Sequence, residues 1–219
     1  MNHSTQDVTL LLELLASRIC HDLVSPVGAI NNGIEFMEDM AGDPDGIKQA
    51  TDLISHSAAS AGARLQAFRI AYGAGGRDGN LKAEDIQKAF GALIRMDGKV
   101  RQSWDPYGPL GIDVKEKGAC KVLMSALLLA QECLPKGGTV FADAGSGKEL
   151  IITAEGTDAT VRENVENALA GTIALADLDP RLVHPYVLGE SARNYGFSVT
   201  LHTTEPNKVV WSLKQTASE

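Results

Sequence analysis

The chain has 219 residues, of which 44% are apolar and 22% charged, an ordinary composition for a protein that folds in water. Its formal net charge of −8 argues against a nucleic-acid partner, because binding phosphate backbone needs a basic footprint. The longest apolar stretches, such as residues 122–130, fall well short of the ~20 residues that a membrane span needs, and no basic region followed by an apolar run marks a leader.

The first 75 residues read as two long helices. Ser4 followed by Asp7 has the form of a capping box, so a helix is predicted to start near residue 5. Val8, Leu12, Leu15, Ile19, Leu23, Val27, Ile30, Ile34 and Met37 then recur in steps of three and four, the period of a helix with one buried face. The run Ala41-Gly-Asp-Pro-Asp-Gly46 breaks it, with Asp43 placed to cap and Pro44 to open the next helix. That second helix, over residues 45–72, has its predicted buried series at Ile47, Ala50, Ile54, Ala58, Ala61, Leu65, Phe68 and Tyr72. Two helices cannot bury both apolar stripes alone, and pairing with a second copy into a four-helix bundle solves this economically.

Gly73-Ala-Gly-Gly-Arg-Asp-Gly79 reads as a flexible linker, which divides the chain into residues 1–75 and 80–219. The second part alternates helices, predicted near 83–96, 119–134, 160–170 and 184–195, with strands near 111–115, 138–144, 148–154, 197–203 and 207–214. The fold class is therefore α+β, a sandwich with helices on one face of a mostly antiparallel sheet. Gly145-Ser-Gly-Lys148 lacks the flanking residues of a phosphate-binding loop and is expected to turn a hairpin. Cys20, Cys120 and Cys133 form no CxxC and cannot all pair, which points to a reduced, cytoplasmic protein without a zinc site. His56, His184 and His202 have no partner at ligand spacing and read as surface or locally bonded residues; Trp104 and Tyr107 are expected to pack a loop onto the second part.

The informative segment is residues 17–30. His21 lies two residues after Ile19 and two before Leu23, so at about 100° per residue it points away from their stripe and into solvent. Ser17 and Ser25 flank it one turn away, with Gly28 and Asn32 further along. An exposed imidazole, substantially neutral near pH 7, is a competent nucleophile for a phosphoryl group. Asp22 is placed to orient the ring or hold its proton, and Pro26 bends the helix just beyond.

His21-Asp-Leu-Val-Ser-Pro-Val-Gly-Ala-Ile30 resembles the H-box of two-component histidine kinases, His-Asp/Glu-Leu-x-x-Pro-Leu-x-x-Ile. The whole chain is similar to such a kinase core, a dimerisation and phosphotransfer hairpin followed by an ATP-binding-like domain. Within that group it most resembles the dimeric, ChpT-like histidine phosphotransferases of alphaproteobacteria. The departures matter as much. Residues 122–138 align with the kinase N-box, where the family places asparagines, one of which helps to hold magnesium with ATP; this chain has Ser125 and Leu129, and a leucine offers no oxygen ligand. Ala154-Glu155-Gly156 stands where Asp-x-Gly would read the adenine, and residues 170–190 contain no glycine-rich lid.

The resemblance thus implies a phosphotransferase without ATP chemistry or cofactor of its own. A phosphoryl group would pass from the receiver domain of a hybrid histidine kinase to His21, then to downstream response regulators, each receiver bringing its own magnesium. Such a transfer is mostly alignment and charge neutralisation. With the hairpin turn near residue 43, residue 21 faces about residue 65, so Arg64, Phe68 and Arg69 join Arg18, Ser25 and Asn32 as candidate docking residues, Phe68 doubling as core. The residues leave two other readings open: a histidine kinase with a degenerate nucleotide site, and a receiver-binding module in which His21 is incidental.

Overall fold

The computed structural model describes residues 5–74 and 80–216, with the side chains of residues 203 and 204 left aside. Ser4 and most of the expected linker, residues 75–79, lie outside the described residues. The chain opens with two long helices, α1 (Thr5–Asp39) and α2 (Pro44–Ala71). Asp43 adopts an extended conformation and accepts a hydrogen bond from the Asp45 amide at 3.1 Å, while Pro44 occupies the first turn, where its missing N–H costs nothing. The two helices pack closely where side chains are small. A Cβ built on Gly33 would lie 2.6 Å from Ile54 Cγ1. Pro26 sits inside α1, where it removes the hydrogen bond to the Asp22 carbonyl four residues back.

The second part contains α3 (Ala83–Asp97), β1 (Val100–Ser103), α4 (Ala119–Glu132), β2 (Gly138–Ala144), β3 (Glu149–Glu155), α5 (Val165–Ala170), a 3-10 turn at Leu175–Asp177, α6 (Val183–Asn194), β4 (Phe197–Glu205) and β5 (Lys208–Gln215). Its five-stranded sheet has the order β1-β2-β3-β5-β4, parallel only between β1 and β2. This is the expected α+β class. The turn at 145–148 joins β2 to β3, with Ala144 opposite Leu150.

Two sequence expectations are corrected, and one strand is added. Residues 111–115 form no strand: Leu110, Ile112 and Val114 alternate like one, but they plug a loop into the core, and Gly111 turns with φ +77°. The strand that flanks β2 is instead the short polar segment β1, which lacks an apolar pattern. The helix expected from residue 160 begins at Val165, after Asn164 takes a left-handed φ of 63°.

α4 explains how the two parts meet. It is apolar nearly all round, and every residue from Ala119 to Ala130 is buried, because the sheet covers one side and α2, α3 and α6 cover the others. α2 accordingly buries a second face that its sequence series does not contain: Ala67, Ile70 and Ala71 belong to the same apolar core as Leu123, Leu127, Ile152 and Trp211. Ala58 and Leu65 of the predicted α2 series are exposed. On α1, Val8, Leu12, Val27 and Ile34 of the predicted buried stripe are also exposed within one chain.

Candidate phosphotransfer site

His21 projects from the middle of α1, and its side chain is 89% exposed. Its Nδ1 stands 3.3 Å from Oδ1 of Asp22, whose side chain is 26% exposed. If Nδ1 carries the ring hydrogen and donates it to Asp22, the lone pair is left on Nε2.

Arg18, one turn earlier, turns inward. Its guanidinium pairs with the Glu132 carboxylate at the end of α4, and Nη1 donates to the Pro180 carbonyl at 3.4 Å. Burial opposes the charge on Arg18, but its neighbours, Glu132 first and then Tyr72 and Asp22, together outweigh it and hold the guanidinium above its ordinary range. Burial pushes the Glu132 carboxyl up against the opposing pull of Arg18. His21, Ser17, Arg18 and Asp22 form one wall of a groove of about 520 Å³; Glu132, Arg162 and the Asp179-Pro180-Arg181 segment form the other. Arg162 and Arg181 are exposed. Neither is visible as a site residue in the sequence, because both join the groove beside His21 only through the tertiary fold.

The remaining sequence candidates are spread around this groove. Arg64 and Phe68 line a smaller cavity of about 160 Å³ beside it, together with Arg18 and Asp22. Arg64 approaches Asp97 at 3.5 Å, and Phe68 is buried and stacks on Tyr72 with ring centroids 5.6 Å apart. Ser25 is exposed one turn beyond His21, and Arg69 is exposed on α2 without an ion pair among the described residues. Asn32 is exposed eleven residues along the helix, about 16 Å from His21, and lies outside the groove.

Beneath the groove runs a buried polar chain. The Tyr72 hydroxyl meets His184 Nδ1 at 2.7 Å, and His184 Nε2 meets the Ser125 carbonyl at 3.0 Å. His184 is fully buried, not a surface residue, and its partners come from α4 and from the end of α2 rather than from its own neighbourhood. His56 and His202 are exposed. Trp104 is buried as expected, whereas Tyr107 is 79% exposed and its hydroxyl donates to Glu84 at 2.5 Å.

Comparison with known proteins places this geometry. Residues 83–207 match the family model of the histidine phosphotransferase C-terminal domain. The protein phosphotransferase ChpT of Brucella abortus (strain 2308) is 33% identical over 195 residues, spanning 87% of this chain and 89% of that protein. A bacterial phosphotransferase solved at 1.7 Å superposes with a TM-score of 0.75 at 30% identity, covering 98% of each chain.

Proposed function

The chain belongs to the histidine phosphotransferase family, and from that premise we propose that it relays a phosphoryl group between receiver-domain aspartates through His21. The observation that carries this reading is an almost fully exposed imidazole, oriented by the carboxylate beside it, at the rim of a groove walled by Arg162 and Arg181.

The transfer follows from the site. Nε2 of His21 attacks the phosphorus of a phosphoaspartate; a P–N bond forms, the P–O bond breaks, and the aspartate leaves as a carboxylate. The positive charge that builds on the ring is held at Nδ1–H by Asp22. In the second half, a carboxylate oxygen of the next receiver attacks, and the P–N electron pair returns to Nε2. Magnesium belongs to the receivers. Arg162 and Arg181, with Ser25, Arg64 and Arg69, are placed to steer a receiver whose active site carries its phosphoryl group and acidic residues.

The same reading has no place for ATP. Leu129 and Ala154 are buried, and neither offers an oxygen to a metal or a carboxylate to adenine. A second copy covers the exposed apolar stripe of α1 (Val8, Leu12, Val27, Ile34) and Leu65 of α2, completing a four-helix bundle. No helix among the described residues is long and apolar enough to cross a membrane, and the three free cysteines suit the cytoplasm.

A two-armed assay tests the proposal. The wild-type chain and His21→Ala are each given labelled ATP in one arm and a receiver phosphorylated on aspartate in the other. The proposal expects label only in the second arm and only with His21 present. Label from ATP alone would instead make the chain a kinase; unimpaired receiver binding with no label in either arm would make it a binding module.

A further inference from the structure

We infer that the Arg18–Glu132 ion pair is a strut that holds the second domain at a fixed angle to α1, so that Arg162 and Arg181 face His21. Both side chains are largely buried, at 17% and 20% exposure, and they join elements that are 114 residues apart in sequence. Most of the other attachments between the domains lie at one end of the hairpin, formed by the end of α2 and the start of α1, where Leu11 and Leu14 pack on the common core; Arg64 also approaches Asp97 of α3 two turns before the end of α2. Lys121 donates to the Gly73 carbonyl at 3.0 Å, Tyr72 meets His184, and Ala67, Ile70 and Ala71 enter the common core. Attachments gathered at one end of the hairpin act as a pivot. Arg18 ties α1 to the second domain at the level of the reactive histidine, one turn before it, and its bond to Pro180 anchors the loop that carries Arg181.

The ion pair is therefore a positioning device rather than part of the chemistry. Arg18 spends its charge on Glu132 and Pro180, not on an incoming phosphoryl group. Glu132→Gln leaves a largely buried guanidinium without its anion, which loosens the second domain about that end of the hairpin. The arginines then leave their place across the groove from His21, while His21 keeps its own position on α1. The functional half of this inference rests on the relay reading; the geometric half does not.

The test measures the two halves separately. Nitroxide labels on Cys20, the one exposed cysteine, and on Glu163→Cys beside Arg162 report the angle between the domains, with labelled chain diluted in unlabelled chain to suppress distances between copies. The distance distribution is expected to be narrow in the otherwise unaltered chain, broad with Glu132→Gln, and narrow again with the exchange Arg18→Glu/Glu132→Arg. In parallel, phosphoramidate labels His21 without a protein partner, and a receiver loaded with acetyl phosphate labels it with one. Glu132→Gln is expected to leave phosphoramidate labelling within twofold and to raise the receiver concentration for half-maximal transfer about tenfold. Arg18→Lys, which keeps the charge but cannot span both Glu132 and Pro180, serves if Glu132→Gln does not fold, and is expected to broaden the distribution likewise. An unbroadened distribution in the folded variant overturns the strut, as does a loss of phosphoramidate labelling equal to the loss of receiver transfer. A wild-type chain that takes no label from any receiver, yet shows the broadening and its rescue, overturns the relay reading and leaves the strut standing.

Discussion

The Tyr72 hydroxyl lies 2.7 Å from Nδ1 of His184, although the two residues are 112 positions apart. The far nitrogen fixes the direction of this bond. Nε2 faces the Ser125 carbonyl, which can only accept, so Nε2 carries the hydrogen and Nδ1 accepts from Tyr72. Removing the phenol oxygen leaves Nδ1 buried and unpaired, and Tyr72→Phe is expected to cost about 1–3 kcal/mol in urea unfolding.

The same histidine makes stability depend on pH. Burial first, and then the charge of Arg18, lower its pKa to about 3, against an ordinary value of 6.5. Between those values the unfolded chain binds a proton that the folded chain does not. The contribution of His184 is thus complete above pH 6.5 and is lost progressively as pH falls toward 3, with a slope of at most about 1.4 kcal/mol per pH unit. Urea unfolding at pH 7, 6 and 5 measures this slope. His184→Gln, which can still donate to Ser125 and accept from Tyr72, is expected to lack that part of it.

His21→Ala is expected to separate chemistry from folding. The side chain is 89% exposed and, among the described residues, its one close polar contact is with its neighbour Asp22, so stability is expected to stay within about 0.5 kcal/mol. Phosphoryl uptake from a receiver falls to background. A melting curve and a transfer assay on the same preparation check both statements.

Two glycines of α1 behave oppositely. A Cβ on Gly33 meets Ile54 Cγ1 at 2.6 Å and the Ala50 carbonyl at 3.4 Å, so Gly33→Ala pushes the hairpin apart and is expected to cost about 1–3 kcal/mol. A Cβ on Gly28 meets nothing within 4 Å, and Gly28→Ala is expected to stabilise by about 0.5–1 kcal/mol through helix propensity. Thermal unfolding of the pair reads the contrast.

What the sequence revealed and what it hid divide along physical lines. The exposure of His21 follows from the helical period of its own neighbours, which is local information. So do the cap at Asp43 and the antiparallel strands β2 to β5, whose apolar runs are continuous or alternating. Residues 110–114 misled because alternation reports which side chains are buried, not whether the backbone pairs; here a loop buries them. β1 went unseen because Val100-Arg-Gln-Ser103 owes its conformation to the parallel partner β2, not to its own pattern. The burial of His184 and the place of Arg162 and Arg181 beside His21 depend on contacts between residues 59 or more positions apart, and no spacing rule records such contacts.

The exposed stripe of α1 gives a prediction about assembly. Val8 and Leu12 lie before His21, and Val27 and Ile34 after it, on a different face of the helix. Leu12→Lys combined with Val27→Lys places charges on the surface that a second copy is proposed to cover. Sedimentation is expected to give a dimer for the wild-type chain and a monomer for the double variant. Phosphoramidate labelling of His21 persists in both, since these side chains face away from it.

Leu129→Asn introduces the residue type that the resemblance to histidine kinases places at this position, and it is expected to fail. Leu129 is 1% exposed and sits in the core beneath the hairpin, with α4 buried on every side. An asparagine there loses the apolar contacts of a leucine and buries an amide whose donors and acceptor must find new partners, at a cost of about 2–5 kcal/mol. On the relay reading it gains no magnesium site, because a single amide oxygen in a packed apolar core cannot hold the ion. Calorimetric titration with Mg-ATP is expected to show no binding by either protein, while urea unfolding shows the full loss of stability. Binding of Mg-ATP by the variant alone would mean that the nucleotide pocket survives behind Leu129 and that this one side chain closes it.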